Sequence, residues 1–349
     1  MILVTGATGH IGNVLVRKLL EKGEQVRAMV LPGESCDSLS GLPIEMVVAD
    51  ILDPDTLDRW MKGVRVVYHL AGIISILPGD EALMHRVNVE GARNVARAAL
   101  KAGVERMVHT ASVHALRREP HGLTMNENTP LSLKSAAGAY DQTKAMGAQA
   151  VLDTVKEGLD AVIVCPSGVI GPYDYRGSEM GGLIKSFAES NIHFIVNGAY
   201  DFVDVRDVAD GMILAAEKGR SGEIYILSGQ QVTLRQLSKL TRRVTARRSL
   251  VIAIPLRLAL FVSRYTQYFY RWFKKTPKFT LYSLKTVVEN SSFSRAKAEK
   301  ELGYRARPLD ESIRDFLAWR AGHFQKYYHQ KSDKAKTRAL KPSKAKNPG

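Results

Sequence analysis

Short apolar runs alternate with longer stretches of helical length through the first half of the chain. Each run spans five to seven residues, and several are rich in β-branched side chains. Alternation of this kind predicts βαβ units, in which helices connect parallel strands. The pattern predicts six strands, at residues 1–5, 25–30, 44–48, 64–70, 106–110 and 161–165, and helices at residues 14–20, 87–102 and 140–156.

Right-handed crossovers arrange these strands as an α/β fold with a doubly wound parallel sheet, the Rossmann fold. Glycine and proline interrupt the chain after Pro166, and we expect it to return to the sheet only in pieces, such as residues 202–205 and 223–227. A sheet domain is therefore predicted at residues 1–165, and a smaller lobe, interleaved with returns to the sheet, at residues 166–325. Residues 326–349 are rich in lysine and poor in large apolar residues, which predicts a basic disordered tail.

A glycine-rich turn, TGATGHIG at residues 5–12, joins the first strand to the first helix. Gly6 permits a positive φ, Gly9 lets the backbone approach a pyrophosphate, and Gly12 lets the helix pack closely on the strand. Phosphates would then accept hydrogen bonds from unpaired N–H groups of the helix N-terminus. Three glycines also occur in plain structural turns, but their position between strand and helix favours a dinucleotide site.

Ligands of open parallel sheets bind beyond the carboxyl ends of the strands, where reactive side chains are also predicted. Tyr140 and Lys144 share one face of a helix, and the lysine charge is expected to lower the tyrosine pKa from about 10 towards neutrality. Such a tyrosine can exchange a proton with a substrate hydroxyl or carbonyl, and Ser112 can hydrogen-bond the same oxygen. A plain surface Tyr–Lys pair is the alternative, because such pairs are common on helices.

Several motifs occur in a fixed order along the chain. They are TGATGHIG at 5–12, Asp50 after the third strand, HLAG at 69–72, VNVEGARNV at 87–95, TAS at 110–112, YDQTK at 140–144, CPSGVIGP at 165–172, FVDVRDVA at 202–209 and SRAKAEKELGY at 294–304. This set resembles the extended branch of the short-chain dehydrogenase/reductase superfamily, the NAD-dependent epimerase/dehydratase family, over about residues 1–320. It looks most like the dihydroflavonol-reductase-like and 3β-hydroxysteroid-dehydrogenase-like proteins, whose substrates tend to be apolar.

The resemblance implies roles at the matching positions. Tyr140 would be the catalytic acid/base, Lys144 would lower its pKa and hold the nicotinamide ribose, and Ser112 would polarise the substrate oxygen. Residues 1–165 would then bind NAD(P), and residues 166–325 would bind the substrate. Cofactor contacts are implied at Gly6, Thr8, Gly9, His10, Ile11, Gly12, Asp50, Ile51, Leu70, Ala71, Gly72, Tyr140, Lys144, Pro166, Gly168 and Val169. No metal ligand is assigned, and Asn88 is as much a structural candidate as a functional one.

Two departures from the family pattern reduce the number of candidate reactions and bear on the choice between NAD and NADP. Val113 and His114 stand where dehydratases resembling this chain carry Asp-Glu, which argues against a sugar dehydratase. Leu31 follows the second strand, where relatives that use NADP often carry arginine, and Glu34 lies further on. A 2′-phosphate then lacks an obvious bidentate partner, so the prediction is NAD or NADP with a lean towards NAD.

Two polar groups are assigned structural roles. His114 is predicted to be a satisfied structural histidine rather than a substrate contact. Asp204, Arg206 and Asp207 are predicted to form a structural ion-pair cluster.

The net charge of +15 is concentrated in two segments. Residues 235–288 contain 13 lysines and arginines without an acidic residue, and residues 321–349 contain eight with one aspartate. Residues 254–273 are apolar with arginines seven residues apart, about two helical turns. This pattern suits a helix lying on an anionic membrane surface, a lobe helix packed on the core, or an apolar substrate entrance. No nucleic-acid-binding module is recognisable, so nucleic acid is not predicted as a partner.

Composition points to a reducing compartment and a cytoplasmic location. The two cysteines, Cys36 and Cys165, allow at most one disulfide. No run of about 18 uncharged apolar residues predicts a membrane span, and Met1 opens directly into the first strand without room for a signal peptide.

The sequence therefore predicts an NAD(P)-dependent dehydrogenase or reductase that acts on a secondary alcohol or ketone, with a small and apolar substrate. A nucleotide-sugar epimerase that retains NAD is one alternative, and a non-catalytic dinucleotide-binding protein is another. Net consumption of NAD(P)H separates the first two. The resemblance also implies a homodimer.

Overall fold

The structure, a computed structural model, describes residues 1–75, 79–134, 138–247, 249–261 and 281–322. The strands of these residues are β1 Ile2–Thr5, β2 Val26–Val30, β3 Glu45–Val48, β4 Val66–His69, β5 Arg106–Thr110, β6 Ala161–Pro166, β7 Gly168–Ile170, β8 Ile192–Ile195, β9 Ala199–Asp204, β10 Ile224–Leu227, β11 Gln230–Thr233 and β12 Leu250–Ala253.

The principal helices are α1 His10–Glu21, α2 Pro54–Trp60, α3 Glu81–His85, α4 Ala92–Lys101, α5 Ala139–Lys156, α6 Glu179–Glu189, α7 Val205–Lys218, α8 Leu234–Thr245, α9 Leu281–Val288 and α10 Leu309–Arg320. A π-helical turn at Arg86–Gly91 joins α3 to α4, so the helix predicted at residues 87–102 starts one and a half turns earlier.

Seven parallel strands form the main sheet in the order β3–β2–β1–β4–β5–β6–β10. The chain winds outwards from β1 in one direction through β2 and β3, and from β4 in the other. This order confirms the predicted doubly wound fold. The direction of winding changes between β1 and β4, and ligands of such sheets bind beyond the carboxyl ends of the strands at this point.

Both faces of the main sheet are covered by helices. Ile2 and Val4 of β1 belong to one hydrophobic cluster, which includes residues of α1 and α7, whereas Leu3 belongs to the cluster on the opposite face with residues of α4 and α5. A strand that is buried on both faces has no solvent-exposed side, so it needs no polar residues at alternate positions. This explains why β1, β4 and β6 are largely apolar in the sequence.

The prediction that residues 202–205 return to the main sheet is wrong. β9 instead pairs with β7 and β11 in a separate three-stranded sheet, and Val205 begins α7. Phe202 packs in a third hydrophobic cluster with Ile170 and Phe316, and this local core holds the strand away from the main sheet. The return predicted at 223–227 is confirmed, because β10 pairs with β6.

The predicted ion-pair cluster at the start of α7 is confirmed. Arg206 binds Asp204 at 2.8 Å and Asp315 of α10 at 2.7 Å, and Arg307 binds Asp207 at 2.6 Å. Asp204 also caps α7 by accepting from the backbone N–H of Arg206. These contacts fasten α10 to the start of α7.

Part of the predicted basic apolar stretch can be located. Residues 256–261 are helical and directly follow the end of β12, whereas Arg264 and Arg271 lie outside the described residues, as does the tail at 326–349. No helix within the described ranges is long and apolar enough to cross a membrane.

Candidate active site

The glycine loop folds tightly against the end of β4. Gly6 has a φ of +65°, and a Cβ there would lie 2.6 Å from the backbone nitrogen of Ala71. A Cβ on Gly12 would lie 2.2 Å from the carbonyl oxygen of Gly6, so α1 packs closely on the loop. Gly9 precedes α1, and no side chain caps the helix. The loop therefore fits a pyrophosphate, since it offers helix N-terminal donors without side-chain atoms in the way.

The side chains in this loop are engaged by the protein. The hydroxyl of Thr8 donates to Glu34 at 2.6 Å, and Nε2 of His10 donates to the carbonyl oxygen of Pro172 at 3.0 Å. Burial lowers the pKa of His10, which therefore is neutral at pH 7. Ile11 packs against the core below α1. The side chains of these three residues therefore contact other protein groups, and their backbone N–H groups are the candidates for binding a phosphate.

Thr5 connects the carboxyl end of β1 to the residues that follow β4. Its Oγ1 accepts from the backbone N–H of Leu70 at 3.3 Å and of Ala71 at 3.2 Å. A Cβ on Gly72 would lie 3.8 Å from Nζ of Lys144, so the residues that follow β4 lie next to α5, the helix that carries Tyr140 and Lys144. The predicted cofactor residues of β4 thus lie between the glycine loop and the predicted catalytic residues.

Asp50 and Ile51 follow β3 at the same edge of the sheet. Asp50 Oδ1 accepts from the backbone N–H of Leu52 at 2.9 Å, which shapes the turn. Ile51 is buried, and a Cβ on Gly91 would lie 2.4 Å from its Cδ1. The Ile51 side chain therefore packs closely against the π-helical turn at Gly91.

Ser112 and Tyr140 lie near each other at the carboxyl end of β5, and the serine side chain acts to lower the tyrosine pKa. Ser112 Oγ also accepts from the backbone N–H of His114 at 3.1 Å. Nζ of Lys144 donates to the carbonyl oxygen of Thr110 at 2.7 Å. The structure thus brings together at one strand end three residues that are well separated in the sequence.

The expected lowering of the Tyr140 pKa is not found. Burial raises the pKa of Tyr140 to about 12, and nearby Asp141 adds to this rise, while the neighbouring Ser112 hydroxyl and the charge of Arg118 oppose it. Burial also lowers the pKa of Lys144 to about 8. The expectation fails because desolvation of the phenolate outweighs the stabilising groups around it.

His114 stands beside the tyrosine, with its ring centre 5.7 Å from that of Tyr140. Nδ1 of His114 lies 3.3 Å from Asp141 Oδ1 and also contacts the Arg118 guanidinium. Arg118 in turn lies 3.4 Å from Glu289. These charged partners agree with the structural role predicted for His114.

Sequence reasoning missed two buried histidines beneath this site. His69 and His109 are register partners in β4 and β5, and their rings stack with centres 5.2 Å apart. Burial lowers the pKa of His69 to about 3 and that of His109 well below its usual value. Both rings are therefore neutral. The sequence could have indicated this pair, because each histidine lies at or next to the last residue of a strand, and the two strands are neighbours in the sheet.

The loop after β6 lies on a buried aspartate. A Cβ on Gly168 would lie 2.8 Å from the carbonyl oxygen of Asp201, so β7 and β9 approach closely there. Burial raises the pKa of Asp201 to about 6, against the influence of the nearby Ser167 hydroxyl and the hydrogen bond from the Gly229 N–H. Pro166 ends β6, and Val169 continues into β7, so these predicted residues stand at the same carboxyl edge.

Comparison with known proteins identifies the family. The family described as the NAD dependent epimerase/dehydratase family matches residues 2–228. The chain belongs to this family. Its extended short-chain dehydrogenase/reductase fold, its class as an NAD(P)-dependent oxidoreductase and the predicted cofactor class of NAD or NADP agree with that membership.

Similar proteins match the chain over most of its length. Sterol demethylase protein B of Methylococcus capsulatus is 35% identical over 319 residues, which cover 91% of this chain and 97% of that protein. A putative dihydroflavonol 4-reductase of Synechocystis sp. is 33% identical over 324 residues and covers 92% and 94%. The crystal structure of gox2253 has a TM-score of 0.81 and 34% identity, and the match covers 93% of this chain and 98% of that one. Matches of this length extend over the sheet domain and most of the lobe.

Proposed function

We propose that this family member reduces a ketone to a secondary alcohol, or catalyses the reverse reaction, with Ser112, Tyr140 and Lys144 as its catalytic residues. The observation that carries the proposal is the position of Ser112, Tyr140 and Lys144 together at the carboxyl end of β5. The glycine loop that fits a pyrophosphate lies at the same edge of the sheet. A bound nicotinamide supplies or accepts the hydride. The residues of the chain handle the proton and orient the substrate oxygen.

Tyr140 would hold the reacting proton. Its pKa of about 12 keeps the phenol protonated at neutral pH, which is the form that donates a proton to a carbonyl oxygen during reduction. Ser112 would donate a second hydrogen bond to the same oxygen. Lys144, held by the Thr110 carbonyl oxygen, would bind the ribose next to the nicotinamide.

We further propose an apolar ketone as the substrate, because the similar proteins are named for a sterol and a dihydroflavonol. The family resemblance also supports a homodimer, in which each chain carries its own site. An epimerase would use the same tyrosine but would consume no reduced cofactor.

The direct test follows the absorbance of NADH and NADPH during incubation with a panel of apolar ketones, such as ketosteroids and dihydroflavonols. Tyr140→Phe should reduce turnover at least about 100-fold, since general acids contribute this much or more, and it should weaken cofactor binding far less than it slows turnover. Tyr175→Phe, which alters an exposed tyrosine, is the matched control and should retain turnover. Turnover that survives Tyr140→Phe would contradict the proposed role.

We also propose that the lobe contacts an anionic membrane surface. Ile192 and Phe194 of β8 are paired with Leu250 and Ile252 of β12, and all four side chains are exposed. The helical residues 256–261 follow β12, and Leu258 and Phe261 are exposed there. These apolar side chains and the acid-free basic segment around them support binding to anionic lipid.

A further inference from the structure

Glu34 is anchored at the corner between the glycine loop and the end of β2. Its Oε1 accepts from the Thr8 hydroxyl at 2.6 Å, and its Oε2 accepts from the backbone N–H of Leu31 at 2.9 Å. Burial would raise the pKa of Glu34, but these hydrogen bonds and the Arg176 guanidinium hold it below its usual value. The carboxylate is therefore ionised and fixed in direction.

Arg176 reaches this corner from the lobe, 142 residues further along the chain. Its Nη2 donates to Thr8 Oγ1 at 2.8 Å and also contacts Glu34 Oε1. The arginine thus lies over the fourth residue of the TGATGHIG loop, next to the acid that follows β2.

The segment that carries Arg176 is fastened to α1. Asn13 Nδ2 donates to the carbonyl oxygen of Tyr173 at 3.1 Å, and the Arg17 guanidinium lies 4.9 Å from the centre of the Tyr173 ring. Tyr173 has a φ of +67°, which is uncommon for a residue other than glycine. A strained backbone conformation persists only where the surrounding structure holds it in place. The contacts of Tyr173 therefore fix the path of this segment, which places Arg176 beside the glycine loop.

An acid and an arginine at this corner suit the two forms of the dinucleotide, NAD(H) and NADP(H). In dinucleotide-binding folds, an acid about 20 residues beyond the glycine loop binds the ribose 2′-hydroxyl, and a nearby arginine accommodates a 2′-phosphate. The guanidinium fork matches phosphate geometry, while a carboxylate alone would repel the phosphate. Glu34 and Arg176 together present both kinds of group.

We propose that Arg176 forms a 2′-phosphate subsite, so that the protein binds NADP(H) as well as NAD(H). The proposal rests on the dinucleotide site of the proposed function. With NAD(H), Glu34 would accept from the ribose hydroxyls and Arg176 would stay paired with it. With NADP(H), Arg176 would turn from Glu34 to the phosphate, and its side chain, 56% exposed, has room to do so.

The test measures binding rather than turnover. NADH and NADPH are titrated by fluorescence, and 5′-ADP and 2′,5′-ADP, which lack nicotinamide, are titrated by calorimetry. Arg176→Gln should weaken NADPH and 2′,5′-ADP about 10- to 100-fold, the range expected for a charge-assisted contact, and change NADH and 5′-ADP less than about threefold. Glu34→Gln should weaken NADH about tenfold and leave NADPH as tight or tighter. Arg220→Gln is the matched control, because Arg220 is similarly exposed, at 63%, and pairs with Glu301 at 2.9 Å.

Equal weakening of NADH and NADPH by Arg176→Gln would overturn the proposal, since the arginine would then only hold the segment in place. A wild-type protein that binds 2′,5′-ADP no better than 5′-ADP would overturn it as well. Failure of the proposed reaction has a different signature. If no ketone is reduced but Arg176→Gln still selectively weakens NADPH, the subsite stands and the reaction does not.

Discussion

Replacement of Lys144 by methionine is expected to stabilise the fold at neutral pH, although it removes a proposed catalytic group. Burial lowers the pKa of Lys144 from 10.5 to about 8. Each pKa unit corresponds to about 1.4 kcal/mol, so the charged ammonium destabilises the folded state by about 3 kcal/mol below pH 8. Methionine also loses the hydrogen bond to the Thr110 carbonyl oxygen, which costs about 1 kcal/mol. The variant should be about 2 kcal/mol more stable at pH 7.

The pH dependence makes this prediction specific. A lysine whose folded pKa lies below its unfolded pKa destabilises the protein fully below the folded value, and the penalty disappears as pH rises from about 8 to 10.5. The stability advantage of Lys144→Met should therefore shrink over this window and vanish near pH 10, where the lost hydrogen bond offsets what remains.

Urea unfolding of wild type and Lys144→Met at pH 7, 8, 9 and 10, followed by tryptophan fluorescence, measures the difference. Lys156→Met is the control, because Lys156 is an exposed residue of the same helix, and its effect should stay within about 0.5 kcal/mol at each pH. A variant less stable than wild type at pH 7, or an advantage independent of pH, would refute the assignment of the penalty to a buried ammonium.

Two further perturbations probe the buried ion pairs and the lobe surface. Arg206→Met leaves the buried carboxylates of Asp204 and Asp315 without their shared cation, so it should lower the free energy of unfolding by about 3 to 5 kcal/mol. The control is Arg314→Met at the more exposed pair with Asp310, which should change the free energy of unfolding by less than about 1 kcal/mol. Equal urea midpoints for the two variants would contradict this reasoning. The full-length protein should co-sediment with anionic vesicles at low salt and not with zwitterionic ones, and Phe194→Ser combined with Phe261→Ser should reduce the bound fraction. Absence of binding to anionic vesicles would remove the proposed membrane contact.

The main sheet was predictable because its physical cause is local. Continuous apolar runs such as β1 and β6 are required wherever a strand is buried on both faces, and their spacing by helical stretches leaves few alternatives to parallel crossovers. The glycine loop was equally readable, since Gly6 and Gly12 occupy positions where a Cβ would collide with backbone.

The strand β9 was misplaced because strand propensity does not determine which sheet a strand joins. Residues 202–205 read as a strand in the sequence, but the partners β7 and β11 and the apolar cluster around Phe202 are distant in the chain. The pKa of Tyr140 was misjudged for a related reason. Helical spacing predicts a neighbouring lysine, whereas the pKa depends on desolvation by every element packed around the ring.

The sequence by itself determined the family, the doubly wound sheet and the edge at which its ligands bind, because periodicity and glycine spacing act over a few residues. Only the tertiary structure decided which charges meet there. The lean towards NAD rested on the lack of an arginine near Leu31, yet the fold brings Arg176 to Glu34, 142 residues away in the chain, and to Thr8, 168 residues away. Electrostatic interactions depend on distance in space, so the groups proposed to select the cofactor could be found only after the chain was folded.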